Sequence, residues 1–144
     1  MGLELGWQHL WDNGFGFRAQ YTRNTSKSWI AGQYVGQLDG VAPATSSLGL
    51  LYEKNAISAS LSFDHTGAYV VSHSTEIPGW ANTARAMTWV TASASYELTD
   101  NFKLYVEGKN LSDSVYRSNL GRPDAAYGFS SWGRTVTFGA SLKL

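Results

Sequence analysis

The chain has 144 residues, no cysteine, a formal net charge of zero and 15% charged residues. This length suits one domain, and the lack of cysteine excludes thiol catalysis, zinc–thiolate sites and disulfide frameworks. The balanced charge gives no basis for a nucleic-acid partner held through its phosphates. Charged residues are fewer than the ~25% of typical soluble domains, because Ser, Thr, Gly and aromatic residues take their place.

Apolar and polar residues alternate along most of the chain, which is the pattern of strands with two different faces. The pattern predicts about seven β-strands and no helix of any length. No apolar run approaches the ~18 residues that a membrane-spanning helix needs. In chain order, the predicted strands cover residues 3–11, 14–29, 46–53, 56–71, 87–98, 102–107 and 135–144.

The predicted connections alternate between short and long. Residues 12–14, 54–55 and 99–101 are rich in Asp, Asn and Gly, which tolerate positive φ and suit tight hairpin turns. The other three connections are long. Because successive strands run in opposite directions, all short turns fall at one end of the sheet, as in outer-membrane barrels. The long connections cover approximately residues 30–44, 70–86 and 111–134.

Alternation alone fits a soluble sandwich, in which the apolar face packs in a core, and a membrane barrel, in which that face meets lipid. The polar faces carry mostly Ser, Thr, Gly and Gln, whereas soluble surfaces are rich in Lys and Glu. Several predicted strands reach the ~9–11 residues that cross a bilayer. Aromatic residues near strand ends also match the girdles of membrane barrels. These are Trp7, Tyr21, Tyr52, Phe63, Tyr96 and Phe102.

The last forty residues, YVEGKNLSDSVYRSNLGRPDAAYGFSSWGRTVTFGASLKL, resemble the C-terminus of TonB-dependent outer-membrane receptors. In that family a strand with a Gly-x-Asn-Leu segment precedes a long loop, a Gly-Arg pair and the final strand. Upstream, GLELGWQHLWDNGFGFRAQYT is similar to a strand, short turn and returning aromatic strand of the same family. The matching C-terminal positions are Val106, Gly108, Asn110, Leu111, Asp113, Tyr116, Gly133 and Arg134.

The resemblance implies that residues 1–144 are the C-terminal part of a transmembrane barrel of twenty-two strands, with the earlier strands and the plug domain upstream of Met1. It implies a bacterial outer-membrane location, periplasmic short turns and extracellular long loops. The implied function is energy-coupled uptake of siderophore–iron, a cobalamin-like cofactor or an oligosaccharide, without enzymatic activity. The implied partners are outer-membrane lipid, the remaining strands and plug, the barrel assembly machinery, and TonB through the absent N-terminal region.

The long connections hold the candidate ligand contacts, because aromatic rings stack on sugars or planar ligands and arginines clamp carboxylates. A structural interpretation stays open, in which the tryptophans form the outer belt and Arg134 pairs with a carboxylate such as Glu107. The predicted ligand contacts are Trp80, Arg117, Arg122, Asp124 and Trp132.

No catalytic, cofactor or metal site is predicted. The sequence has no G-x-S-x-G nucleophile elbow, and its histidines lack metal-ligand spacing. His65 and His73 nevertheless lie in segments that can approach each other, although we interpret them as solvated loop residues.

The final segment, TVTFGASLKL, keeps its alternation to the last residue and resembles the C-terminal signal read by the barrel assembly machinery. Because a last strand must pair to close a barrel, we expect the chain to end here and its missing part to lie upstream. The predicted assembly signal is Thr137, Gly139, Leu142 and Leu144, where the family usually ends in Phe.

Two other interpretations remain open. A self-contained porin- or adhesin-like barrel of about eight strands requires one more strand, within residues 68–80 or 114–130. A soluble β-sandwich binding module requires the apolar faces to pack together in a core.

Overall fold

The computed structural model describes residues 1–77 and 79–143. Within these ranges the chain forms strands and no α-helix, so the described part contains no helix long and apolar enough to cross a membrane. The strands are β1 (Gly2–Leu10), β2 (Phe15–Asn24), β3 (Ser28–Ile30), β4 (Gln33–Gly36), β5 (Ala44–Lys54), β6 (Ile57–Thr66), β7 (Tyr69–His73), β8 (Ala81–Ala84), β9 (Met87–Thr99), β10 (Phe102–Lys109), β11 (Val115–Leu120), β12 (Ala126–Ser131) and β13 (Thr135–Leu142).

Seven strands form one antiparallel sheet in the order β1-β2-β5-β6-β9-β10-β13, here called the wall sheet. Each of them overlaps one of the seven predicted strands, so the all-β antiparallel prediction is confirmed. Within the described residues the sheet does not close, because β1 and β13 each pair with one neighbour only. Six successive antiparallel pairings leave these two edge strands running in the same direction.

The predicted short turns are present at one end of the wall sheet. Gly14 has φ +92° and Asn55 has φ +55°, which are left-handed conformations that Gly and Asn adopt at low cost. A third turn joins β9 to β10, where the amide of Asn101 donates to Thr99 Oγ1 at 3.3 Å. The local sequence therefore fixes all three turns.

The register of the wall sheet separates an apolar face from a polar face. One cross-strand row on the apolar face joins Trp7, Ala19, Leu48, Phe63 and Val90. The adjacent row on the other face consists of Gln8, Arg18, Gly49, Ser62 and Thr91. Since side chains alternate along every strand, this register makes both faces continuous across the sheet.

Nothing in the described chain covers the apolar face. Trp7 is 70% exposed and Phe138 is 78% exposed. Ala84 is the only fully buried hydrophobic residue in the described ranges. A soluble sandwich buries such faces against each other, so the strands described here do not form a sandwich core.

The polar face is concave at the end that carries the short turns. A cavity of about 820 Å³ is bounded by residues of six adjacent strands, from β1 to β10. Its polar-face lining includes Gln8, Arg18, Ser60, Ser93 and Glu107. The wall sheet therefore curves around its polar side and leaves its apolar side outermost.

The long connections also contain strands, which corrects their prediction as loops. Strands β3 and β4 form a hairpin, and four others form a sheet in the order β12-β11-β8-β7, here called the loop sheet. Two predicted strands, 14–29 and 56–71, are each divided in the structure. The second is interrupted at Gly67, whose amide turns to donate to the Ala44 carbonyl at 2.9 Å.

The loop sheet continues four strands of the wall sheet beyond the end opposite the short turns. Strand β7 follows β6, β8 leads into β9, β11 follows β10 and β12 leads into β13, and the lateral order is the same in both sheets. The segments where the eight-strand alternative needed another strand, 68–80 and 114–130, do contain β7, β11 and part of β12. Those strands pair within the loop sheet, so none extends the wall sheet.

Asn110 connects the wall sheet to the loop sheet. It is 1% exposed, and its Nδ2 donates to the carbonyl oxygens of Ser114 at 3.1 Å and Gly133 at 3.0 Å. Its Oδ1 accepts from the Ser114 amide at 2.8 Å. With φ +52° at Asn110 and +53° at Asp113, the chain turns sharply here. The asparagine of the Gly-x-Asn-Leu segment thus has a structural role.

Candidate functional site

The candidate site lies on the loop sheet, where the segment after β11 folds back over β8. Trp80 is placed beside Gly121, so closely that a side chain at Gly121 would collide with the indole ring. Gly121 has φ +70°, and its amide donates to the Ala81 carbonyl at 3.0 Å. Glycine is required here because the backbone needs both a left-handed conformation and space for an aromatic ring.

Three of the predicted ligand contacts belong to this region. Trp80 is 38% exposed, and Arg122 follows Gly121 directly. The Arg122 guanidinium pairs with Asp124 through Nε at 3.3 Å, with both side chains largely exposed. An exposed pair of this kind contributes little to stability, so both groups are accessible to a ligand.

The other two predicted contacts do not join that group. The carbonyl of Arg117 accepts from the amide of Arg85 at 2.8 Å, but the Arg117 side chain does not line the cavity of about 280 Å³ that adjoins Arg85. Trp132 instead packs near Trp89, with ring centroids 5.6 Å apart. The sequence does not show this contact, because Trp132 and Trp89 become neighbours only when the last long connection, residues 111–134, folds back towards β9.

Arg85 and Asn119 form the centre of the site, and sequence reasoning did not select either of them. Arg85 donates from Nε to Asn119 Oδ1 at 2.9 Å and from Nη2 to the Pro123 carbonyl at 3.0 Å. Asn119 is 7% exposed, and its Nδ2 donates to the same carbonyl. One signal was available, since Arg85 is the only Lys or Arg between residues 70 and 86.

A cavity of about 280 Å³ adjoins these groups. Arg85, Asn119 and Arg122 supply its long polar side chains, and no carboxylate is among its lining residues. Small side chains complete it. They are Ala68, Ala81, Thr83, Ala84, Gly121 and Pro123. Because the guanidinium of Arg85 is already oriented by two hydrogen bonds, the cavity is suited to a small anionic group.

Arg134 and Glu107 do not form an ion pair. The interpretation in which Arg134 pairs with Glu107 is therefore wrong. Glu107 pairs with Lys109 at 3.4 Å, and Arg134 Nη2 lies 4.0 Å from Asp113 Oδ2. These two pairs lie on opposite sides of the Asn110 turn. The Arg134 contact therefore connects the two ends of the last long connection.

The histidines do not form a shared site. His65 Nδ1 contacts Thr88 Oγ1 at 2.8 Å. His73, whose side chain is 7% exposed, lies 2.5 Å from Asp39 Oδ1 through its Nδ1, and its Nε2 lies 3.0 Å from the Val35 carbonyl. Among the residues in 1–77 and 79–143, no three His, Asp or Glu side chains cluster as metal ligands.

Packing explains the residue type at one position of the predicted assembly signal. Gly139 lies directly under the Tyr105 ring, where a Cβ would collide. Thr137 faces Glu107 across the strand pair, and Leu142 faces Phe102. Leu144 lies outside the described residues, so its part of the prediction has no structural counterpart here.

Comparisons with protein-family models, with curated proteins and with solved structures find no match to this chain.

Proposed function

We propose that this chain is the C-terminal part of a TonB-dependent receptor barrel in a bacterial outer membrane. In this proposal its polar face lines the barrel lumen, its apolar face meets lipid, and the loop sheet lies on the extracellular side. The function is energy-coupled uptake of siderophore–iron, a cobalamin-like compound or an oligosaccharide. Its partners are the remaining barrel strands, the plug domain, TonB and the assembly machinery.

The observation that carries the proposal is the continuous, uncovered apolar face of the wall sheet. Soluble proteins rarely expose an apolar surface that runs across seven strands, whereas a membrane barrel requires one. Phe138 at one edge and Trp7 at the other are among its most exposed residues. Lipid is the environment that removes this whole surface from water.

The dimensions of the wall sheet agree with a bilayer. Its strands contain between 8 and 13 residues, near the ~9–11 that cross a membrane at a tilt. The rings of Phe15 and Tyr52 pack in a tilted arrangement, with centroids 4.7 Å apart, beside the short turns, where an interfacial aromatic girdle is expected.

The open edges support a larger barrel over a self-contained one. In an antiparallel barrel the first and last strands must run in opposite directions. Here the two edge strands run in the same direction, so closure needs an odd number of further strands, and no other strand among the described residues pairs with either edge. The receptor family supplies fifteen if its barrel has about twenty-two strands.

Cysteine labelling tests the orientation of the two faces, because the chain has no native cysteine. Ala94 and Ser93 are neighbours on β9, and Ala94 lies in the apolar row with Ala59 while Ser93 lies in the polar row with Ser60. In the full protein reconstituted in vesicles, a fluorophore on Ala94→Cys should be quenched by nitroxide-labelled acyl chains. The same fluorophore on Ser93→Cys should respond to aqueous iodide instead. Equal responses at the two positions would contradict the proposal.

Transport is tested in cells. Ligand accumulation through the full protein should disappear with a protonophore, while ligand binding to the cell surface persists. A self-contained porin would instead permit passage that a protonophore does not stop. Heat-dependent migration on a denaturing gel after refolding in detergent separates either barrel from a soluble sandwich.

A further inference from the structure

We infer that the cavity beside Arg85 is a binding subsite for a compact apolar carboxylate, such as a benzoate-sized group of a larger ligand. As a subsite for transported ligand it rests on the proposed function. The binding itself does not depend on that function and is measured directly.

The carboxylate is inferred from the charge and orientation of Arg85. Its Nε and Nη2 each donate one hydrogen bond to the protein, which leaves three of its five N–H groups without a partner in the described residues. The positions of those N–H groups are fixed because Asn119 is itself buried and bonded to the Pro123 carbonyl. A carboxylate matches a guanidinium fork through two parallel hydrogen bonds.

The charge balance of the cavity favours an anion. Arg85 and Arg122 both line it and no Asp or Glu does. Asp124 pairs with Arg122 from outside the lining, so one positive charge, that of Arg85, has no carboxylate partner among the described residues. Arg85 is exposed, so its remaining N–H groups are open to a ligand, and a carboxylate would supply the missing partner.

We infer the apolar part of the ligand from the size of the cavity and from the side chains that line it. Ala68, Ala81, Ala84 and Pro123 present methyl and methylene groups to it. Its volume of about 280 Å³ is just below the ~300–1,000 Å³ of sites for drug-sized ligands. A single ring with one carboxylate therefore suits it better than a whole sugar chain or chelate.

The probes are benzoate and its uncharged isostere benzamide, tested by saturation-transfer NMR on the full protein in detergent micelles. Benzoate should bind, and benzamide should bind roughly tenfold more weakly because it cannot form the charged pair. Arg85→Gln should weaken benzoate to the same extent. Arg134→Gln removes a cation that lies in the same long connection as Asn119 but does not line the cavity, and it should leave binding unchanged.

A second variant tests the location without changing the charge. Ala81→Leu fills the cavity and should abolish benzoate binding while Arg85 is retained. Undetectable benzoate binding, equal binding of benzamide, or unchanged binding by either Arg85→Gln or Ala81→Leu would overturn the inference. If benzoate binds as described but the face-labelling experiment fails, the transport proposal is wrong and the subsite remains.

Discussion

Asn110 Nδ2 donates a hydrogen bond to the Gly133 carbonyl at 3.0 Å, although 23 positions separate the two residues. This bond joins the end of β10 to the segment that begins the last strand of the wall sheet. The asparagine therefore holds both ends of the longest connection, whatever that connection binds.

Asn110→Ala should destabilise the protein by about 2–3 kcal/mol, because two carbonyl oxygens and one amide lose their buried partner. Asn55→Ala is the matched control, since Asn55 also has positive φ (+55°) but lies in an exposed turn. It should cost only about 1 kcal/mol for the left-handed conformation. Denaturant unfolding of the full protein in detergent measures both. Equal losses would show that the side-chain bonds of Asn110 contribute nothing.

Gly139→Ala should cost on the order of 1–3 kcal/mol, because the new methyl group meets the ring of Tyr105 and forces it to move. Gly49→Ala is the control on the same polar face, where the nearest atom, the Arg18 carbonyl oxygen, is 3.9 Å from the added Cβ. That change should stay within about 0.5 kcal/mol.

A double-mutant cycle with Tyr105→Ser identifies the cause. In that background Gly139→Ala should lose most of its cost, since the ring is absent. If the cost persists, the Tyr105 ring is not its cause. A fall in the yield of assembled protein without a matching change in unfolding would instead indicate a role of Gly139 in the predicted assembly signal.

Leu50 and Leu51 provide a matched pair for the two faces of the wall sheet. They are adjacent on β5 and 45% and 44% exposed, but Leu50 faces Leu61 in the apolar rows and Leu51 faces Ser60 in the polar rows. Leu50→Arg should cost about 2–4 kcal/mol if its face meets lipid near the bilayer centre. Leu51→Arg, which places the charge in the hydrated cavity, should cost less than 1 kcal/mol by the same reasoning. Equal costs, measured by unfolding in vesicles, would argue against a membrane environment.

Asp39→Asn should loosen the connection around residues 35–41 while the wall sheet stays intact. The Asp39 carboxylate contacts the His73 ring and also accepts from the His73 amide at 3.4 Å, while the other ring nitrogen lies 3.0 Å from the Val35 carbonyl. Removing the carboxylate charge weakens this arrangement. Hydrogen exchange of the amides near Gly40 should therefore accelerate.

Asp124→Asn is the control for that change, because the Arg122–Asp124 pair is exposed on both sides and should contribute little. Its effect on exchange should be confined to the neighbouring turn. Unchanged exchange near Gly40 in Asp39→Asn would mean that backbone bonds alone, such as Gly40 N to Val70 O at 2.7 Å, hold the connection.

The sequence predicted part of the candidate site. Trp80, Arg122 and Asp124 lie near one turn of the loop sheet, and of these three only Arg122 lines the cavity, so their role as ligand contacts stays a prediction. Arg85 was not selected, because its role depends on Asn119, which is 34 positions away. Pairings of that range follow from how the connections fold together, and no local pattern encodes them.

The sequence by itself determined the seven wall strands, their short turns and the separation of apolar from polar faces. These depend on alternation and on residues that tolerate positive φ, which act over a few positions. The tertiary structure alone decided that the long connections form a second sheet, that Asn110 ties β10 to the last strand, and that Arg85 borders a cavity. Each of those depends on backbone and side-chain groups that become neighbours only after the chain has folded, where hydrogen-bond satisfaction selects the arrangement.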